Sequence, residues 1–418
     1  MKEKIVRFQN GERFPILLDS SHGMPLFLPN FYLLTMSRGK SDAFNTIRSK
    51  SRALMCIYTW ADINGVDLET RFSKGELLSL AEIDSICDSM KHEYKFIKKL
   101  GDESEKVKTK KNQKIFQLNF KLNESDIKYV SNDTYNFRLM YITKYLDWLV
   151  SISMSNISRN GDLYATTMIA KDEMIYHLNA RKRPSKSDVE VKGFDDDVQN
   201  MLIEIVDSDN PSNPFENKFV KIRNQIFILL SLCTGLRRGE MLKLKVEDFD
   251  VATKSLKIIK IKDDPVDPRN IEPSVKTKGR MLELEDIVVF NLLKYLNLRS
   301  KIRKARTHPF LFVSKYGKPL SYTSAGDIYI TLRQKILNLP DDLSQHAVRH
   351  RWNENFSEIM QNKYAHLSET EIDNYRKFLM GWSSASKMPD RYNKKFIRKQ
   401  AGKVSLEIQK EILKHRGN

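Results

Sequence analysis

Five side chains, far apart in the chain, are of the types that phosphate chemistry requires. Arg237 follows Thr234-Gly235-Leu236 and stands three residues before Glu240. His346 and Arg349 lie in Gln345-His346-Ala347-Val348-Arg349-His350, Trp382 follows Gly381, and Tyr392 lies in Pro389-Asp390-Arg391-Tyr392-Asn393-Lys394-Lys395. Two arginines, a histidine, an indole donor and a late tyrosine, in that order, point to chemistry on a phosphodiester with tyrosine as the nucleophile. Attack at phosphorus gathers negative charge on the non-bridging oxygens, where guanidinium groups offer paired and permanently charged donors. An indole N–H can add a donor but cannot carry protons. A phenol with a reference pKa near ~10 needs a base close by.

Taken singly, each position also has a plainer role in packing, so the elements that hold them matter. Arg237 falls at the end of an apolar helix pattern, where Gly235 breaks the helix and Glu240 is placed to hold the guanidinium. His346 and Arg349 are three apart and share one face of a helix that Asp341 or Ser344 can cap. His346 and His350 have the His-x-x-x-His spacing of helical zinc ligands. Ala347 and Arg349 occupy the two positions where such motifs place their carboxylate, so no metal site is read and His350 supports the helix. Ser274 to Leu284 reads as a β-hairpin with Gly279 near its turn, carrying Lys276, Lys278 and Arg280. Tyr392 sits in a basic setting without core periodicity, which suits presentation to an anionic substrate.

The chain has 418 residues, enough for two or three domains, and 40% are hydrophobic, which excludes a disordered protein. Lysine and arginine number 71 against 53 acidic residues, a net charge of +18. A surplus of that size favours a polyanionic partner, because neutralising phosphates releases condensed counterions. Cys56, Cys87 and Cys233 are too scattered for a disulfide framework or a zinc site. No signal peptide follows Met1-Lys2-Glu3-Lys4, and no apolar run spans a membrane, so a cytoplasmic protein is expected.

In chain order, residues 1–40 read as an arm opened by a hairpin around Asn10-Gly11, followed by a loop from Ser20 to Pro29. Residues 41–180 read as a helical domain. Its helices run up to Asn64-Gly65, start at the capping box Ser79-x-x-Glu82, and recur around Phe137 to Leu149 and Leu163 to Asn179. The lysine-rich run from Lys95 to Lys114 reads as an exposed loop. Residues 181–197 pair a basic block with the acidic Asp195-Asp196-Asp197 and read as a linker. Residues 198–395 mix helices with short β-prone segments from Ser255 to Ile261 and Ser274 to Leu284. Residues 396–418 form a tail whose Leu406, Ile408, Ile412 and Leu413 give a short amphipathic helix. The fold class is mainly α with small β elements.

As an ordered set, these residues resemble the catalytic set of the tyrosine recombinases, the phage integrase family. Thr234-Gly235-Leu236-Arg237-x-x-Glu240 resembles the first arginine motif of that family. His346-Ala347-Val348-Arg349-His350 resembles its second box, and Leu379-Met380-Gly381-Trp382-Ser383-Ser384 its Leu-Gly-His/Trp segment, with tryptophan where histidine is usual. Trp382 precedes Tyr392 by ten residues, one more than the usual gap. The resemblance implies catalytic roles for Arg237, Lys276, His346, Arg349, Trp382 and the nucleophile Tyr392, with Lys278 as the alternative register for the hairpin lysine. It also implies a helical core-binding domain and a mixed α/β catalytic domain clamped around double-stranded DNA. The further implications are a homotetramer on two recombination sites, accessory DNA-bending or directionality proteins, and no cofactor or metal. The expected activity is site-specific recombination through a 3′-phosphotyrosine, for integration or excision of a mobile element. A type IB topoisomerase and a catalytically silent DNA-binding protein are the alternatives.

Overall fold

A computed structural model of the chain describes residues 1–100, 128–184 and 194–414. Most of the lysine-rich run and the middle of the expected linker lie outside the described residues. The chain divides into two compact units, Met1–Val189 and Glu190–Asn418.

The first unit opens with β1 (Lys2–Arg7) and β2 (Arg13–Leu18), antiparallel and in register from Lys2 opposite Leu18 to Arg7 opposite Arg13. The turn is longer than the two residues of Asn10-Gly11. Phe8 N–H donates to Glu12 O, Asn10 Oδ1 accepts from Glu12 N–H, and Gly11 takes the positive φ of 87° that the turn requires. The loop expected up to Pro29 is shorter, because α1 (Phe27–Leu33) already begins inside it. Pro29 is tolerated there, since the first turn of a helix has no use for its missing N–H.

Helices α2 (Phe44–Asn64), α3 (Leu68–Ser73), α4 (Leu80–Met90), α5 (Asn132–Ser153) and α6 (Asp162–Ala180) build one core around Leu54, Ile57, Trp60, Ile86, Leu139, Tyr145 and Leu149. Their ends are written locally. Gly65 closes α2 at φ 68°, and Ser79 and Glu82 form the expected capping box on α4. Asp67 caps α3, a helix too short for periodicity to reveal.

The second unit contains α7 (Asp196–Ile205), α8 (Lys218–Thr234), α9 (Arg238–Lys243), α10 (Asp286–Ser300), α11 (Tyr322–Lys335), α12 (Gln345–Lys363), α13 (Glu369–Met380) and α14 (Met388–Lys414). The acidic block read as linker starts α7 instead. Asp195 Oδ1 accepts from Val198 N–H, and Asp196 and Asp197 fill the first turn, where carboxylates favour the positive end of the helix dipole. The tail is likewise not separate from Tyr392, for one helix carries both.

The sheet of this unit is small and antiparallel, in the order β3 (Phe249–Asp250), β4 (Ser255–Ile258), β5 (Arg280–Glu283). Only residues 280–283 of the expected hairpin form a strand, and their partner is β4, so Gly279 is not the turn of a hairpin of its own. Residues 259–279 connect the two strands. They are held down by a buried charge cluster in which Lys243 of α9 meets Glu272, Asp264 at 3.7 Å and Asp267 at 3.6 Å. Arg269 pairs with Asp267 at 2.7 Å and donates to the carbonyls of Leu242 and Leu320. The unit's core lies around Ile226, Phe227, Leu242, Leu292, Tyr295, Ile328, Leu343 and Val348. The whole protein is mainly helical with small antiparallel sheets.

Candidate active site

Four chain segments meet around the carboxylate of Glu240. Helix α8 ends at Gly235, whose φ of 62° lets the chain reverse. A Cβ there would come within 2.9 Å of Met380 Cε and of the Trp352 ring. The reversal delivers Arg237 to the N-cap of α9, where its backbone N–H donates to Glu240 Oε2 at 2.6 Å. Glu240 therefore holds the backbone of Arg237 rather than its guanidinium. The carboxylate itself accepts from Arg280 Nη1 at 2.8 Å and from the Thr277 hydroxyl, and lies 3.9 Å from Arg349 Nη1. Burial would raise the Glu240 pKa, but the charges of Arg280 and Arg349 and the bonds from Arg280 and Thr277 hold it below the usual carboxylate range.

Arg349 leaves the first turns of α12, whose N-cap is Ser344, accepting from Ala347 N–H at 3.3 Å. Its Nη1 donates to Gly235 O at 2.6 Å, its Nη2 reaches Met380 O at 3.4 Å, and its Cζ lies 5.7 Å from the centre of the Trp382 ring. Burial, with the neighbouring Arg237 charge, pulls Arg349 down to about 10. Arg237 is lowered too, first by burial. Gln345 braces this junction from the same turn, donating to Ser231 Oγ and Leu236 O while accepting from the Tyr329 hydroxyl.

Gly381, at φ 64°, closes α13 and seats it on the segment before β5. Lys278 N–H donates to Gly381 O at 2.8 Å, and Arg280 Nε donates to Leu379 O at 2.7 Å. Trp382 follows, buried, and its ring stacks on Tyr392 with centroids 5.7 Å apart and planes 13° apart. Tyr392, also buried, lies in the second turn of α14 and faces the His350 ring at 5.2 Å. It is near enough to act electrostatically on Arg237, Arg349 and Arg376. His346 is exposed one turn before His350, and their Nε2 atoms are 3.0 Å apart.

The structure thus brings together Arg237, Arg349, Trp382 and Tyr392, with His346 joined to them through His350. Lys276 and Lys278 are exposed on either side of the buried Thr277, and among the described residues neither side chain makes a hydrogen bond or ion pair. Glu240, Thr277 and Arg280 are parts of the site that sequence reasoning passed over or gave another partner. The available signal was the density of arginine around one acid that has to be buried with them.

Three buried donors in this cluster, Arg237 Nη1, Arg280 Nη2 and Trp382 Nε1, have no hydrogen-bond partner among the described residues. Unpaired buried donors are costly, so a pocket that keeps several suits an anion that arrives from outside. Among the described residues no group of three or more His, Cys, Asp or Glu side chains could hold a metal ion. No described helix is long and apolar enough to cross a membrane.

Residues 197–396 match the model of the phage integrase family. No curated protein matches the chain. Solved structures that resemble it include XerA recombinase, at 15% identity over 90% of this chain and 96% of that one, with a TM-score of 0.36. XerH site-specific recombinase bound to palindromic difH substrate is 13% identical over 85% and 96%, with a TM-score of 0.39. The Tn1549 transposon integrase in complex with transposon right end DNA is 13% identical over 71% and 97%, with a TM-score of 0.36.

Proposed function

Through residues 197–396 the chain belongs to the phage integrase family, the tyrosine-type site-specific recombinases, and on that premise we propose that Tyr392 cuts duplex DNA through a 3′-phosphotyrosine intermediate. The observation that carries this reading is the place of Tyr392. It is stacked on Trp382, and the Arg349 guanidinium carbon lies 5.7 Å from the centre of that same indole ring.

In the proposed reaction Tyr392 Oη attacks phosphorus and the bond to the 5′ oxygen breaks. Arg237 and Arg349 stabilise the charge on the non-bridging oxygens, and Trp382 Nε1 adds a neutral donor. The phenolic proton passes to His346, and the leaving 5′ oxygen takes one from Lys276. The phosphotyrosine keeps the energy of the broken bond, so rejoining needs no nucleotide. The substrate is double-stranded DNA carrying a recombination site. Four copies would act on two such sites, with accessory DNA-bending or directionality proteins, to integrate or excise a mobile element.

The test is a nicked duplex carrying a mapped target junction, cut so that the fragment bearing the 5′ hydroxyl escapes. Wild type should accumulate a protein–DNA covalent complex on a denaturing gel, and Tyr392→Phe should form none. A complex that persists in Tyr392→Phe would falsify the nucleophile assignment, and relaxation of plasmids lacking any target site would point to a topoisomerase. Lys276→Ala should lose cleavage that a 5′-phosphorothiolate restores, because a thiolate leaves without an acid. Rescue of Lys278→Ala instead would move the role to Lys278.

A further inference from the structure

His350 has no part in the chemistry so far, yet it stands between the two groups that must exchange a proton. It is 4% exposed and lies one helical turn after His346. The two Nε2 atoms are 3.0 Å apart, with ring centroids at 4.4 Å and planes at 82°. On its other side the His350 ring is 5.2 Å from that of Tyr392. A neutral imidazole has one N–H, so a bond between two Nε2 atoms requires one ring to carry hydrogen there and the other to carry its lone pair. The rings must therefore be opposite tautomers. Once a single proton is added, the bond becomes charge-assisted and stronger, whereas a second would set two cations in contact.

We propose that His350 is a positioning residue for the reaction. Through the Nε2 bond it fixes the ring and tautomer of His346, so that a histidine pair, rather than one histidine, receives the proton of Tyr392. This rests on the reading of Tyr392 as nucleophile. The bond from Tyr392 Oη to phosphorus forms as the bond from phosphorus to the 5′ oxygen breaks. The phenolic proton moves onto the pair, which becomes one N–H···N cation, and the 5′ oxygen takes its proton from the loop lysine. On rejoining, the proton returns to the phenolate oxygen.

The two arginines that flank His350 on its helix are both bonded elsewhere. On its own helix, Arg349 is bonded to Gly235 O, and Arg351 to Asp196 and Gln199 of α7. Helix α14 contributes Tyr392, whose ring faces that of His350.

Two measurements test this. Long-range nitrogen–proton NMR of the full chain labelled with ¹⁵N-histidine should show opposite tautomers at His346 and His350 above neutral pH; the same tautomer on both would overturn the proposal without any variant. The second is the pH dependence of covalent-complex formation on the nicked junction duplex. Loss of the partner weakens the cationic form of His346 and lowers its pKa. In His350→Phe the acid limb should therefore move down by about one pH unit and the rate fall roughly 10- to 100-fold. His350→Gln can place an amide atom near Nε2, and should keep the wild-type limb with a rate within several-fold. A space-filling role would rank Phe above Gln, since the site is buried, and would leave the limb where it is; that result overturns the proposal. Absence of a Tyr392-dependent complex in wild type would sink the nucleophile reading and the proton route together. A normal complex with unchanged His350→Phe kinetics would sink the proton route alone.

Discussion

Arg349 illustrates what burying a cation costs. Its pKa is pulled down to about 10 by burial and by Arg237, yet it remains charged near neutral pH. A phosphate would relieve both penalties, so sulfate or vanadate should raise the melting temperature of wild type and raise it less in Arg349→Lys. Lysine keeps the charge but cannot span Gly235 O, Met380 O and a phosphate at once. Cleavage by Arg349→Lys should fall about 100-fold or more, read as the rate of covalent-complex formation. At this scale the sequence was a good guide to which residues the fold brings together and a poor one to what holds them. Arg237, Arg349, Trp382 and Tyr392 announced themselves by type and order. The carboxylate at their centre was legible only as a partner for the Arg237 guanidinium, because Thr277, Arg280 and Arg349 lie far along the chain from Glu240 and only folding brings them to it.

Among the elements, the closing turn of α13 leaves no room for a side chain. A Cβ at Gly381 would stand 2.5 Å from Arg280 Nη1 and 2.9 Å from Lys278 O, at a φ of 64° that other residues rarely adopt. Gly381→Ala should cost about 3 kcal/mol of stability, measured by urea unfolding, and should slow cleavage further by shifting Trp382. The helices and their caps were legible because their signals are local, as at Ser79-x-x-Glu82 and Ser344. The lysine-bearing segment was not. Its strand partner, β4, lies across residues 259–279, and what anchors that loop is the cluster of Lys243 with Glu272, Asp264 and Asp267. Alternating residues before Arg280 looked like one arm of a hairpin, but tertiary bonds to Glu240 and Gly381 had already claimed Thr277 and Lys278.

For the molecule as a whole, the buried carboxylates set an acid limit. Glu240 and Asp267 are both held below the usual range: for each, burial opposes the shift and the arginine charges and bonds overcome it. A depressed folded value contributes stability that is present above the unfolded pKa and lost as pH falls through the folded one. The melting temperature should therefore stay level down to about pH 5 and drop below it, and Glu240→Gln should flatten the drop while lowering the plateau. A drop that begins near neutrality would contradict the assignment. One last feature works mechanically. Tyr392 lies in the second turn of a continuous helix, Met388–Lys414, so it occupies the short arm of a lever. At ~1.5 Å per residue the far arm extends roughly 33 Å beyond it, and a tilt of about five degrees that moves the far end by roughly 3 Å shifts the tyrosine by only about half an ångström. Coarse restraint at the distant end thus becomes fine aim at the Tyr392 oxygen.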